Sequence, residues 1–194
     1  MNLRPIPSAK VGIRIAAAGV TLLELLTVLT VIAILLAIAI PSFVSFTQTN
    51  RVAGEVNALS GDLQFARAEA IKEGLPVSIC ASSNGTSCLG PTTSIWNTGW
   101  IVFSDANGNQ TVDAGDLILR KQIPWTSTDT FTTASVGAVT YNRDGFAIGL
   151  PGTLTWTLHT SPLNSTAIRC VNLNIAGHQQ VLTNGQTVGT VTCS

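Results

Sequence analysis

Charged residues are scarce in this 194-residue sequence, where Asp, Glu, Lys and Arg together make up only 10%. A soluble domain usually contains about 25% charged residues. A chain that stays disordered because of its charge carries a high net charge, which this sequence lacks. The ten basic and ten acidic side chains cancel, which disfavours a strongly basic nucleic-acid-binding domain. Hydrophobic residues reach 45%, but they are concentrated in one run, which excludes a protein with several membrane spans.

The residue types of common catalytic and metal sites are also few. His159 and His178 are the only histidines, and the four cysteines are better explained as disulfide partners than as zinc ligands. No phosphate-binding loop, dinucleotide-binding fingerprint or nucleophile elbow occurs. We therefore predict no enzymatic activity, no cofactor and no zinc site.

The hydrophobic run extends from Val20 to Ile40 and contains 21 residues. As a helix it would be about 30 Å long, the thickness of a bilayer core. The only charges before Glu24 are the basic ones of Arg4, Lys10 and Arg14, which places that end in the cytoplasm. Small residues precede the run rather than follow it, which favours a retained helix over a removed signal peptide.

Glu24 is the one charged residue inside this run. A carboxylate within a membrane span costs a few kcal/mol, so it needs either solvation at the interface or a partner. Cleavage after Gly19 would create a positively charged α-amine on Val20, four residues before Glu24. In a stack of similar helices, the amine of one subunit could neutralise Glu24 of its neighbour.

The segment from Gly19 to Leu25 resembles the class III prepilin signal of type IV pilins and type II secretion pseudopilins. The resemblance implies cleavage after Gly19 by a prepilin peptidase, N-methylation of Val20 and a role for Glu24 in filament assembly. Val20 departs from the usual first mature residue, which is Phe. Pro41, near the end of the membrane portion, is also typical of pilins. The family implies a single pass through the bacterial inner membrane, with a periplasmic head.

A second pattern follows Pro41 and predicts that the helix continues to Glu73. Apolar residues recur every three or four positions, as on one face of an amphipathic helix: Phe43, Phe46, Val52, Val56, Leu59, Leu63, Ala66 and Ala70. The opposite, polar face includes Arg51, Glu55 and Asp62. Gly74-Leu75-Pro76 then ends the helix.

Short apolar segments separated by turn signals predict an antiparallel sheet after the helix. The strands are expected near 76–80, 99–103, 117–120, 138–141, 152–158, 169–175 and 187–193, and the Ser/Thr-rich segment 126–133 is expected to be a loop. The predicted fold is α+β and pilin-like, one long N-terminal helix packed on an antiparallel sheet. We divide the chain into a leader (1–19), a transmembrane helix (20–41), a joining amphipathic helix (42–74) and a head domain (75–194).

Three segments resemble, more narrowly, the group containing secretion pseudopilin H and the minor pilins FimU and FimT. They are Asp62–Lys72, Val77–Cys80 and Trp96–Asp105. The resemblance implies a minor pilin that joins other minor and major pilins in a tip complex priming pilus assembly. A pseudopilin H of a type II secretion system is the alternative within the same class.

A DNA-binding minor pilin of the FimT type ranks second as a function. That role uses a Gly-Arg-any-Arg segment near the C-terminus, and the equivalent stretch here is Gly177-His178-Gln179-Gln180. Both arginines are missing, and phosphate contacts supply most of the non-specific affinity for DNA. From Arg51 onward the chain has seven basic and nine acidic side chains, an unfavourable field for DNA.

The four cysteines allow three disulfide pairings. We favour the two local pairs, Cys80 with Cys88 and Cys170 with Cys193, because an exported chain reaches an oxidising compartment. Free buried cysteines are the alternative.

One polar loop approximates a calcium-binding loop. Asp105, Asn107, Asn109 and Asp116 occupy its first, third, fifth and twelfth positions. The sixth position is Gln110 instead of Gly, and Asp116 has a shorter side chain than the usual Glu. We favour the simpler interpretation, a polar hairpin tip with Asn-Gly turn chemistry and no metal.

Overall fold

The computed structural model describes residues 19–194, so the leader charges Arg4, Lys10 and Arg14 lie outside the described residues. The chain divides into two compact units, one ending at Pro41 and the other comprising Ser42–Ser194. One helix, α1 (Leu22–Glu73), contributes to both units. Its second part and the strands that follow belong to the same unit.

The first part of α1 has the properties of a membrane span. The helix contains an 18-residue window of mean hydropathy 2.8, none of it buried within the protein, and it is long and apolar enough to cross a bilayer. Its polar threonines are satisfied locally, since the Thr27 hydroxyl donates to the Glu24 carbonyl at 2.9 Å and the Thr30 hydroxyl donates to the Leu26 carbonyl. Such back-bonding lets a hydroxyl enter an apolar environment without an unpaired donor.

Eleven strands follow the helix, and all their pairings are antiparallel. They are β1 (Val77–Ala81), β2 (Trp100–Ser104), β3 (Ile118–Gln122), β4 (Thr130–Thr133), β5 (Ala138–Tyr141), β6 (Ala147–Ile148), β7 (Leu154–His159), β8 (Arg169–Leu173), β9 (Gln179–Thr183), β10 (Thr187–Val188) and β11 (Val191–Thr192). A 3₁₀ helix (Ser165–Ala167) precedes β8. The strands form a five-stranded sheet (β3-β2-β1-β5-β6), a four-stranded sheet (β4-β7-β8-β9) and a hairpin (β10-β11).

The apolar stripe of α1 and the inner faces of both larger sheets share one core. The buried stripe residues are Val52, Val56, Leu59, Leu63, Ala66 and Ala70, and strands β1, β2, β5, β7 and β8 all contribute to the same cluster. The stripe begins later than the sequence indicates, because Phe43 and Phe46 are both more than 60% exposed. The helix therefore has an apolar surface on both sides of Pro41 that the strands do not cover.

The outer faces of the two sheets are also partly buried. In β2, Trp100 and Val102 pack in the core while Ile101 and Phe103 form a second cluster with Cys80 and Ala138. A third cluster contains Ile168, Cys170, Leu182 and Cys193, on the outer side of the four-stranded sheet. Strands buried on both faces explain why the sequence of β2 is continuously apolar instead of alternating.

Each outer cluster contains one disulfide. Cys80 is bonded to Cys88 and Cys170 to Cys193, which is the local pairing favoured by the sequence. The first fastens the loop after β1 to its own strand, and the second fastens the end of the chain to β8. Each bond therefore holds a covering segment against a sheet.

The head differs from the sequence prediction in four strand assignments and in the number of larger sheets. Strand β6, which is only two residues long, was not predicted. The segment predicted to be a loop contains β4, since buried Phe131 and its flanking threonines pair with β7. Strand β9 was not predicted, because Gln179 and Gln180 do not resemble a strand sequence. The last predicted strand is instead the hairpin β10–β11. There are also two larger sheets where one was expected.

We predict that the second disulfide stabilises the head more than the first. Its cysteines are 23 residues apart and those of the first are 8 apart, and closing the longer loop removes more entropy from the unfolded chain. Replacing both cysteines of a pair by Ser should cost about 3.5 kcal/mol for the second and about 2.5 kcal/mol for the first. Denaturant unfolding of the two double variants measures this order, and mass mapping of the unreduced protein should find no crossed link.

Candidate functional site

The start of α1 is fixed by Thr21. Gly19, Val20 and Thr21 precede the first helical residue, and the Glu24 amide donates to the Thr21 hydroxyl at 3.2 Å. This is the N-cap half of a capping box, in which Thr satisfies the amide of the acidic residue three positions later. Thr21 of the prepilin-like motif therefore also defines where the helix begins.

Glu24 lies in the first turn of the helix among exposed apolar side chains. Leu22, Leu23 and Leu25 are all more than half exposed, and within residues 19–194 the Glu24 carboxylate forms no ion pair. A negative charge in the first turn interacts favourably with the helix dipole, but that stabilisation is below about 1 kcal/mol at an exposed position. The dipole therefore does not offset the cost of placing this carboxylate in lipid.

Pro41 lies within α1, which continues through it. Proline has no amide hydrogen, so the carbonyl four residues earlier, at Ala37, loses its helical donor. The division between the two compact units also falls directly after Pro41. The backbone hydrogen-bond ladder of α1 therefore lacks one bond at this position.

The second part of α1 is joined to the head by two ion pairs. Arg51 donates to both oxygens of Asp129 at 2.7 and 2.8 Å, and Asp129 also accepts the Ser161 amide at 2.9 Å. Asp62 accepts from the Trp100 indole at 2.8 Å and pairs with Arg120 at 3.1 Å. A bidentate Arg–carboxylate pair is directional, so these contacts fix the helix against the sheets.

Glu55, expected on the polar face of the helix, is in fact only 6% exposed. One of its oxygens accepts from the Ser127 hydroxyl at 3.2 Å, while the other is buried without a protein partner among the described residues. Burial and the nearby negative charge of Asp129 raise the pKa of Glu55 from 4.5 to about 7. The helical pattern alone does not predict this burial, because the residues that cover Glu55, namely Ser127 and Asp129, are distant in the sequence.

The candidate calcium ligands, for which the sequence favours a polar turn over a metal site, are hydrogen-bonded within their own loop. Asp105 is fully buried and accepts from the Ser78 hydroxyl at 2.6 Å and from the amides of Asn109 and Gln110. The carboxylate thereby attaches the loop to the outer face of β1.

The side-chain oxygens of the other candidate calcium ligands also accept hydrogen bonds from backbone amides of that loop. Asn107 accepts the Asn109 amide, Asn109 accepts the Thr111 amide, and Asp116 accepts the Asp113 amide at 2.8 Å. Among residues 19–194 no group of three or more His, Cys, Asp or Glu side chains is arranged to hold a metal. The geometry is that of a polar turn.

The segment equivalent to the DNA-binding motif spans the turn before β9 and the first two residues of that strand. Gly177 has a φ of 74° and approaches other backbone so closely that an added Cβ would lie 2.2 Å from the Gly145 carbonyl. His178 and Gln180 are exposed, and Gln179 donates to the Ser60 carbonyl of the helix at 2.7 Å. The exposed side chains of this segment are therefore an imidazole and an amide, and the cation beside it is Arg67 of α1, whose Nε would lie 3.1 Å from a Cβ on Gly177.

Comparisons with known proteins agree with this architecture. Residues 55–177 match the family model of the type II transport protein GspH. The chain belongs to the GspH family. A comparison with curated proteins gives no significant match.

The GspH-family chain also shares its fold with a solved minor pilin. Two crystal forms of the type IV minor pilin FimU from Pseudomonas aeruginosa align with it at 22% identity. The first has a TM-score of 0.55 and covers 71% of this chain and 92% of FimU. The second has a TM-score of 0.50 and covers 69% and 91%. The protein is thus a member of the minor pilin and pseudopilin group, as its prepilin-like motif implies.

We predict that Glu55 makes this GspH-family protein less stable as the pH rises. The folded state holds the Glu55 proton more tightly than the unfolded chain does, so this stabilisation is complete below pH 4.5 and lost above about pH 7. The wild-type free energy of unfolding should fall by about 2 kcal/mol between pH 5 and pH 8 through this group. Denaturant unfolding at both pH values should show that Glu55→Gln removes the fall and that Glu73→Gln, at an exposed position, retains it. An unchanged profile in Glu55→Gln would contradict the assignment.

Proposed function

We propose that this protein is a minor type IV pilin that joins a tip complex and primes pilus assembly. The observation that carries the proposal is the position of Glu24, in a Thr21-capped first turn surrounded by exposed leucines. A subunit with this surface needs a bilayer or neighbouring helices around it. Its folded head then remains outside that apolar environment.

Processing after Gly19 fits the local structure. Gly19 and Val20 are exposed and lie before the helix, and nothing packs within 4 Å of a Cβ placed on Gly19. A peptidase needs an accessible, non-helical segment at the bond that it cuts. Cleavage there leaves a new amine on Val20, one residue before the cap.

Assembly would then be guided by pairing between this amine and a carboxylate. Glu24 and the amine of Val20 carry opposite charges near the same end of the helix, and in a staggered stack the amine of one subunit reaches Glu24 of another. Each charge alone is costly in lipid, while the pair is far less so. A mispositioned subunit leaves both unpaired, so the interaction selects one register.

A pseudopilin role in a type II secretion system is the second candidate. The match of residues 55–177 to the GspH model favours it, and the same helix and head would serve a pseudopilus equally well. In both roles the protein is a structural subunit that requires a prepilin peptidase, partner pilins and the inner membrane. DNA binding ranks below both, because His178, in the turn before β9, and Gln180, within β9, stand where two arginines are expected.

We predict that Glu24→Ala leaves the protein cleaved and in the membrane but reduces its incorporation into filaments at least tenfold. The substitution removes the partner of the Val20 amine without disturbing the Thr21 cap. Blots of sheared filaments and of membrane fractions measure the two quantities separately. Glu73→Ala, which removes an exposed carboxylate at the other end of α1, should incorporate normally. Normal incorporation of Glu24→Ala would exclude the charge-pairing mechanism.

A strain without this gene distinguishes the candidate functions. Loss of surface pili, restored by the wild-type gene, is the expected result for a priming minor pilin. Normal pili with impaired enzyme secretion would identify the pseudopilin role instead. Normal pili and secretion with reduced DNA uptake would favour the nucleic-acid role. Electron microscopy, secreted-enzyme assays and transformation assays on one strain give all three readings.

A further inference from the structure

A polar cavity of about 390 Å³ lies between the four-stranded sheet and the terminal hairpin. Strands β8 and β9 provide one wall, and the turn of the β10–β11 hairpin provides the other. Small-ligand sites usually measure about 300–1,000 Å³, so the cavity is large enough for one small molecule. It is distinct from the helix surface proposed for assembly.

The wall of the cavity contains a buried amide without a partner. Asn172 is only 5% exposed, and its Nδ2 forms no hydrogen bond within the described residues. A buried unsatisfied polar group costs about 1–3 kcal/mol, and a ligand with suitable acceptors would recover part of that cost.

The Asn172 side chain faces the cavity because of strand alternation. Val171 and Leu173 point into the main core, while Cys170 lies in the outer cluster. Asn172 alternates with Val171 and Leu173 along β8, so it shares the outer face with Cys170. Gln180 pairs with Asn172 on the neighbouring strand and is exposed at the rim.

The lining determines the chemistry of a ligand. It contains amides, hydroxyls and one imidazole, from Thr153, Asn172, Asn174, His178, Gln180 and Thr190, and no residue lining it is Asp, Glu, Lys or Arg. An ionised ligand would lose its hydration without gaining a counter-charge. Amide side chains both donate and accept, which suits the hydroxyl groups of a sugar, and Val188 and Val191 add apolar surface for its C–H faces.

The hairpin that forms the second wall is anchored in the fold. Cys193 is bonded to Cys170, its amide donates to the Gln186 carbonyl at 2.9 Å, and its carbonyl accepts the Gly185 amide at 2.8 Å. A wall held in place before binding reduces the entropic cost of association. The cavity is therefore preorganised.

We propose that this cavity binds a neutral saccharide unit, so that the head is a glycan-binding as well as a filament-forming module. A ring with several hydroxyls, with or without an N-acetyl group, matches the amides of Asn172 and Gln180 and the apolar side chains opposite. The ligand can be a free sugar or the neutral terminus of a surface glycan. Both present uncharged hydroxyl groups on a sugar ring.

The test uses the full chain in detergent, first on an array of neutral, sialylated and sulphated glycans, then by calorimetry with free mono- and disaccharides. We expect selective binding of neutral termini. If free mono- or disaccharides bind, a soluble saccharide is a sufficient ligand. If only the arrayed glycans bind, the ligand is an extended surface glycan. Absence of binding to all neutral glycans, or selective binding of polyanions, would overturn the proposal.

Matched variants locate the site. Gln180→Ala, at the exposed rim, and Asn172→Ala, in the wall, should each weaken binding at least tenfold. Gln64→Ala removes an exposed amide from α1 and should not change the affinity. Gln180 forms no side-chain hydrogen bond within residues 19–194, so its variant should fold, which circular dichroism verifies. Unchanged affinity in Gln180→Ala and Asn172→Ala would place binding elsewhere and contradict the proposal.

Discussion

The burial of the apolar stripe from Val52 to Ala70 is the constraint on which the rest of the structure depends. Its residues are essentially inaccessible, and covering them requires the inner faces of both larger sheets. One helix therefore has two kinds of apolar surface. The stripe is covered by its own chain, while the surface before Pro41 is exposed and requires a bilayer or other subunits. The sequence of the helix changes accordingly, from a continuous apolar run before Pro41 to apolar residues repeating with a period of 3.6 after it.

Covering the stripe creates a second requirement, at the outer faces of the sheets. Strands as apolar as β2 cannot leave either face in water, so the loops have to fold back over them. Three contacts hold these coverings: the two disulfides, and the buried Asp105 that joins its loop to Ser78 on β1. The carboxylate of Asp105 is thus used for folding, although its spacing in the sequence resembles that of a metal ligand.

The sequence predicts the parts of this fold whose pattern is local. The helix limits, six of the strands and the pilin-like architecture follow from periodicity, turn residues and the prepilin-like motif. Strands β4, β6 and β9 do not. Each lies at an edge of its sheet, and its pairing with a neighbouring strand is not indicated by its own short sequence. Burial of Glu55 also depends on a distant segment, since Ser127 and Asp129 reach it only after the chain has folded. The cavity beside Asn172 depends likewise on the return of the hairpin to Cys170.

Seven of the sixteen charged side chains from Arg51 onward take part in ion pairs, and this reduces the charge that the surface offers to a ligand. Arg51 is paired with Asp129, Arg120 with Asp62, and Lys72 with Glu69 and Glu73. A polyanion needs free, clustered cations, and the turn at Gly177 offers amides and an imidazole in their place. Recognition by such a surface relies on hydrogen bonds and shape. Neighbouring pilin subunits and neutral ligands can be recognised in this way, without the positive electrostatic field that DNA binding requires.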